Sequence, residues 1–143
     1  MFGIIFSIIA GVTMSLQGVF NTRLSEKIGL WETNLIVQGT AFLFTFIAYL
    51  FLRNQQINNL KSVNKLYLLG GFIGVIITYT VMKGIGELGP TLSIGIILIS
   101  QLISAAIIDA FSLFDSVKVN FHWNNYLGIA LMIVGIILFK FKN

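Results

Sequence analysis

Five stretches without a charged side chain constrain this chain more than any other feature. They are Met1–Thr22, Thr33–Leu52, Leu66–Met82, Leu88–Ile108 and Val119–Phe139, of 22, 20, 17, 21 and 21 residues. A hydrocarbon core of about 30 Å takes about 20 residues of helix to cross. Within lipid the backbone must satisfy its own hydrogen bonds, so each run is expected to be helical. The runs are continuously apolar and lack the alternation of a barrel strand. The reading is an all-α polytopic membrane protein with five transmembrane helices, at about residues 2–22, 33–53, 66–84, 90–112 and 124–141, in one transmembrane domain over 1–143. The first run has no basic n-region and no convincing small-residue cleavage site, and Gln17 and Asn21 sit near its end. It reads as a retained helix rather than a signal peptide.

Composition closes off other classes. Of 143 residues, 10% are charged and 57% hydrophobic, where a soluble domain carries about 25% charged residues. The net charge of +4 is scattered, with no basic stripe to follow a phosphate backbone, so no nucleic-acid partner is expected. There is no cysteine, which removes disulfides, thiolate metal sites and a thiol nucleophile. His122 is the single histidine, too few for a zinc site. With no Ser/His/Asp set and no glycine-rich phosphate loop, the chain does not read as an enzyme, and no cofactor or metal is implied.

The connections read as short: Arg23–Glu32, the polar Arg53–Lys65, a tight turn over Lys83–Gly89, and Phe114–Asn124. Pro90 suits the first turn of the fourth helix. Orientation follows the Lys and Arg of short loops. Arg23, Lys27, Lys83, Lys140 and Lys142 fall on one side, and Arg53, Lys61, Lys65 and Lys118 on the other. Five against four decides almost nothing, so the chain is expected to insert both ways; the alternative is one orientation set by helix length or the translocon. Two oppositely oriented copies would pair about an axis in the membrane plane. That recreates the inverted-repeat plan of many secondary transporters, whose site lies at the repeat interface.

Polar side chains inside spans are costly and face a partner or a cavity. Thr13, Gln17 and Asn21 recur at i, i+4, i+8 in the first helix. The second offers Asn34, Gln38 and Thr45, and the third Thr78, Tyr79 and Thr80. The fourth carries Ser93, Gln101 and Asp109 on a row of fours, flanked by Ser100 and Ser104. Gln17, Asn21, Gln38, Gln101 and Ser104 are the candidate lining of a solute cavity. The alternative is interhelical hydrogen bonding that holds the bundle together. Asp109, the one acid within the fourth helical pattern, is the candidate for proton coupling; the alternative is an interfacial carboxylate. Lys83 and Glu87 have the spacing of a helix-surface pair. Gly70, Gly74 and Thr78, and Gly128 with Gly135, read as close-packing faces. Trp31, Tyr49, Tyr67, Tyr79 and Trp123 suit interfacial belts.

The order of several segments carries a resemblance. Gln17-Gly18-Val19-Phe20-Asn21 followed by Leu24 comes first, then Gln38-Gly39 and Leu88-Gly89-Pro90-Thr91. Gln101-Leu102 and Ile108-Asp109-Ala110-Phe111 precede the last apolar run. Together these resemble the YdcZ-type family of the drug/metabolite transporter superfamily, related to the small multidrug resistance proteins. The resemblance implies a five-helix half-transporter of the bacterial inner membrane, and by position it points to Gln17, Asn21, Gln101 and Asp109. It differs from the small multidrug resistance proteins in lacking an acid in the first helix, which argues against their proton-coupled cation efflux. The expectation is a small secondary exporter of metabolites or drugs, an antiparallel homodimer in contact with membrane lipids that moves a small solute. A dual-topology ion channel and a non-transporting membrane subunit are the alternatives.

Overall fold

The computed structural model describes residues 2–52 and 63–140. Its helices are α1 (Phe2–Ile28), α2 (Leu30–Leu52), α3 (Gly70–Leu88), α4 (Pro90–Phe111) and α5 (Trp123–Lys140). A 3₁₀ turn over Lys65–Leu69 leads into α3, and another over Leu113–Asp115 follows α4. No strand occurs among the described residues. All five helices are long and apolar enough to cross a membrane. At 1.5 Å per residue, the 27 residues of α1 reach about 40 Å and the 18 of α5 about 27 Å. Contacts gather the chain into two compact units, Met1–Glu87 and Leu88–Asn143.

Two expected connections shrink to a single glycine each. Over Arg23–Glu32 the helix continues through the charges to Ile28, supported by an Arg23–Glu26 pair at 3.1 Å. Charge ends a membrane span but does not end a helix, because Arg, Glu and Lys are good helix formers. Gly29 makes the break. Its N–H donates to Ser25 O at 3.0 Å and its carbonyl accepts from Thr33 N at 3.1 Å, so it closes α1 and opens α2 at once. Its φ of 101° is open to glycine and strained for other residues. A Cβ there would also collide with the Glu32 carboxylate, which folds back over the first turn of α2. That is where the helix dipole favours negative charge.

The turn expected over Lys83–Gly89 is likewise helical as far as Leu88, and Lys83 and Glu87 pair at 3.6 Å on the exposed face of α3. Gly89, with φ 77°, caps α4 and Pro90 follows at its first turn. The third helix begins later than expected, at Gly70. Asn64 Oδ1 accepts from Leu66 N at 3.1 Å and starts a 3₁₀ turn over the first residues of the apolar run. Of the connection expected over Arg53–Lys65, the part up to residue 62 lies outside the described residues.

Burial is opposite to that of a soluble domain. Among the described residues the buried apolar side chains are Met82 and Ile85, whereas Thr22, Thr33, Asn34 and Ser93 are the buried polar ones. Large apolar side chains such as Phe6, Phe42, Phe51 and Leu138 stand in the open, where lipid tails cover them at no hydrophobic cost. Within the first unit α1 approaches α3 at Gly18: a Cβ there would lie 2.8 Å from Ile85 Cδ1 and 3.2 Å from Val81 Cγ1. Trp31 and Tyr79 stack between α2 and α3 with centroids 4.9 Å apart, pairing two rings expected separately at the interface. Within the second unit, Gly95 of α4 makes the same kind of close approach to Ile136 of α5. Gly70, Gly128 and Gly135, expected to be packing positions, have no described residue of their own unit within 4 Å of a Cβ placed there.

Candidate functional site

Hydroxyls in the spans mostly turn back onto their own helix. Ser7, Thr13, Ser15, Thr22, Thr40, Thr80 and Ser100 each donate to the carbonyl four residues earlier, at 2.7–2.9 Å. This bond leaves the hydroxyl satisfied in hydrocarbon without a second helix. Thr13, the first residue of the polar row of α1, is satisfied in this way.

Between helices the work falls to two amides of α2. Asn34 Nδ2 donates to Val75 O of α3 at 2.9 Å, and Gln38 Nε2 donates to Thr78 Oγ1 at 3.2 Å. Thr78 in turn donates to Gly74 O at 3.0 Å. Two buried oxygens at the head of α2, Thr33 Oγ1 and Asn34 Oδ1, have no protein partner.

On the α1 side of Thr78 lies a pocket of about 50 Å³, partly open, lined by Met14, Gln17, Gly18, Asn21, Ile77, Thr78 and Val81. Its construction is local. Gln17 and Asn21 are one turn apart on α1, and Thr78 and Val81 nearly one turn apart on α3. Gly18 lets α1 come close enough for the two rows to face each other. The pocket lies inward of the charged ends of its helices: Gln17 is six residues before Arg23 and Thr78 five before Lys83, or about 9 and 7.5 Å along the axis. Its volume is small beside the roughly 300–1,000 Å³ of a typical small-molecule site. The lining can give and accept hydrogen bonds and carries no ionisable group.

Of the residues expected to line a cavity, Gln17 and Asn21 meet here. Gln38 stands behind Thr78 and fixes it rather than lining the pocket. Thr78, named among the polar residues of the third helix and expected on a close-packing face, is also in the lining. It was legible as a hydroxyl four residues after Gly74, but periodicity does not say which helix a face will meet.

The remaining candidates belong to the second unit. On α4, Gln101 and Ser104 are exposed and Asp109 is half-buried. The row of fours through Ser93, Gln101 and Asp109 winds round the helix by about 40° per step, so its ends lie about 160° apart. Asp109 lies in the last turn of α4. Its carbonyl accepts from Ser112 N at 3.4 Å and Val119 N at 3.2 Å, which ties the following chain back to the helix end. Ser112, Phe114 and Asp115 there have φ of 50°, 56° and 61°, three left-handed residues of which none is glycine. No group of three metal-ligating side chains occurs among the described residues.

A family model described as "Putative inner membrane exporter, YdcZ" matches residues 2–138, from α1 into the last turn of α5. The chain belongs to the YdcZ family. No curated protein and no solved structure matches it. As a YdcZ protein it is a multi-pass protein of the inner membrane, its five apolar helices in contact with lipid. The family is one of membrane exporters rather than enzymes.

Proposed function

We propose that this YdcZ protein exports a small solute by secondary transport, working as an antiparallel homodimer. The observation that carries this reading is the polar pocket of the first unit. It brings two amides and a hydroxyl together with apolar side chains inside lipid-facing helices, it is partly open, and it is too small to hold a metabolite by itself. Half a site is what a half-transporter presents, and a second copy in the opposite orientation supplies the rest. The near-even split of Lys and Arg, five against four, supports insertion in both orientations. In this reading Gln17, Asn21 and Thr78 contact the solute, and Gln38 positions Thr78. Within the second unit Gln101 and Ser104 of α4 are candidate polar contacts, and Asp109 couples export to protons.

The test has two arms. The chain contains no cysteine, so one introduced at Asn58 or at Asn143 reports topology through a membrane-impermeant thiol reagent on intact cells. About half labelling at each position is expected; labelling at one alone removes the antiparallel homodimer. Flux into proteoliposomes is then expected to saturate. Non-saturating ion flux would make the protein a channel, and no flux would make it a non-transporting subunit. Asp109→Asn is expected to abolish the response of flux to an imposed pH gradient while leaving solute exchange measurable. An unchanged pH response would remove Asp109 from coupling.

A further inference from the structure

The hydrogen bonds around Thr78 restrict what the pocket can recognise. The Gly74 carbonyl has no proton to give, so the Thr78 hydroxyl spends its single proton on that 3.0 Å bond. The Gln38 atom at 3.2 Å must therefore be the amide nitrogen, which donates and occupies one Thr78 lone pair. One lone pair remains. Any further hydrogen bond that Thr78 makes, it makes as an acceptor. Gln17 and Asn21 offer both kinds of group, and Met14, Ile77 and Val81 supply apolar wall.

Charge is missing from the lining altogether. The nearest charged residues along these helices, Arg23 and Lys83, are each engaged with a carboxylate, Glu26 and Glu87. An ion entering such a pocket loses its hydration and finds no counter-charge, which is unfavourable for either sign.

We infer that the solute taken by this pocket is uncharged, donates an N–H or O–H to Thr78, and lays a short apolar body against Met14, Ile77 and Val81. The inference rests on the export reading and gives it a substrate class, a neutral amide or alcohol rather than an organic cation or an anion.

Three probes of similar size separate the possibilities: benzamide, N,N-dimethylbenzamide, which lacks the donor, and benzyltrimethylammonium, a cation. Affinities are measured by ligand-observed NMR on the full chain in nanodiscs, for the wild type, Thr78→Val and Thr78→Ser, after size-exclusion profiles confirm that each variant is folded. Benzamide is expected to bind most tightly. Thr78→Val should weaken it about two- to tenfold, the worth of one neutral hydrogen bond, and Thr78→Ser should restore it. The dimethyl amide should bind more weakly and be indifferent to Thr78→Val. A cation that binds better than benzamide in a Thr78-dependent way overturns the assignment and leaves export standing. Absence of binding by all three probes to the wild type also overturns it. Benzamide that binds as expected but is not moved in proteoliposomes keeps the solute class and removes export.

Discussion

At the residue scale, the pocket depends on a side chain that is not there. Gly18 is buried, with Ile85 Cδ1 and Val81 Cγ1 where a Cβ would begin. Alanine asks the end of Ile85 to swing aside. Valine adds two methyl groups against a side chain that is itself only 4% exposed. Overpacking of this kind costs about 1–3 kcal/mol, and here it pushes α1 from α3 along the line where Gln17 and Asn21 meet Thr78. Gly18→Val is therefore expected to lower the melting temperature of the purified protein in detergent and to abolish flux, with Gly18→Ala intermediate. Wild-type melting and flux in Gly18→Val would show that the two helices do not depend on this approach. Thr78 acts by the opposite means, through a hydroxyl whose directions are fixed by Gln38 and Gly74.

At the level of elements, the helices were legible because hydrocarbon thickness sets a length that a charge-free run must meet. Their ends were less legible, since the charges that close a span are compatible with helix. Arg23–Ile28 and Lys83–Leu88 continue α1 and α3 past the point where the apolar runs stop. The polar row of α1 was readable over two turns, and Gln17 and Asn21 did come to a pocket. On α4, four steps of four residues carry the row far round the helix, so sequence spacing could not make Ser93, Gln101 and Asp109 one face. The place of Thr78 in the lining was hidden for a related reason: most hydroxyls in these spans satisfy themselves, and only the arrangement of helices shows which one has a second partner. Gly29 is the element-scale counterpart of Gly18. It closes one helix and opens the next with φ 101°. Gly29→Ala meets both a left-handed backbone, unfavourable by about 1–2 kcal/mol, and the Glu32 carboxylate. Thermal unfolding followed by fluorescence is expected to shift downward by the corresponding few degrees, and Glu32→Ala in the same background should not fully rescue it. A full rescue would place the whole cost in the contact with Glu32 rather than in the backbone.

For the whole molecule, the near-equal division of positive charge has a consequence that packing within one chain does not. Gly70, Gly128 and Gly135 meet no described residue of their own unit, and the pocket is only partly enclosed. In the proposed pairing both features are available to a neighbour in the membrane. If that neighbour is an inverted copy, orientation becomes a control on activity. Lys65→Gln with Lys118→Gln leaves five positive residues on one side against two on the other. Lys27→Gln with Lys140→Gln and Asn120→Lys leaves three against five. The positive-inside rule drives these two variants into opposite single orientations. Expressed alone, each is expected to label at a cysteine on one side only and to show flux near background, because every copy presents its half-site the same way. Expressed together they restore the antiparallel pair, and flux should return toward the wild-type level. Full activity of either variant alone would mean that copies facing the same way complete the site, and the inverted pair would have to be abandoned. Inactivity of the mixture, with both orientations confirmed by labelling, would place the damage in the substituted lysines themselves.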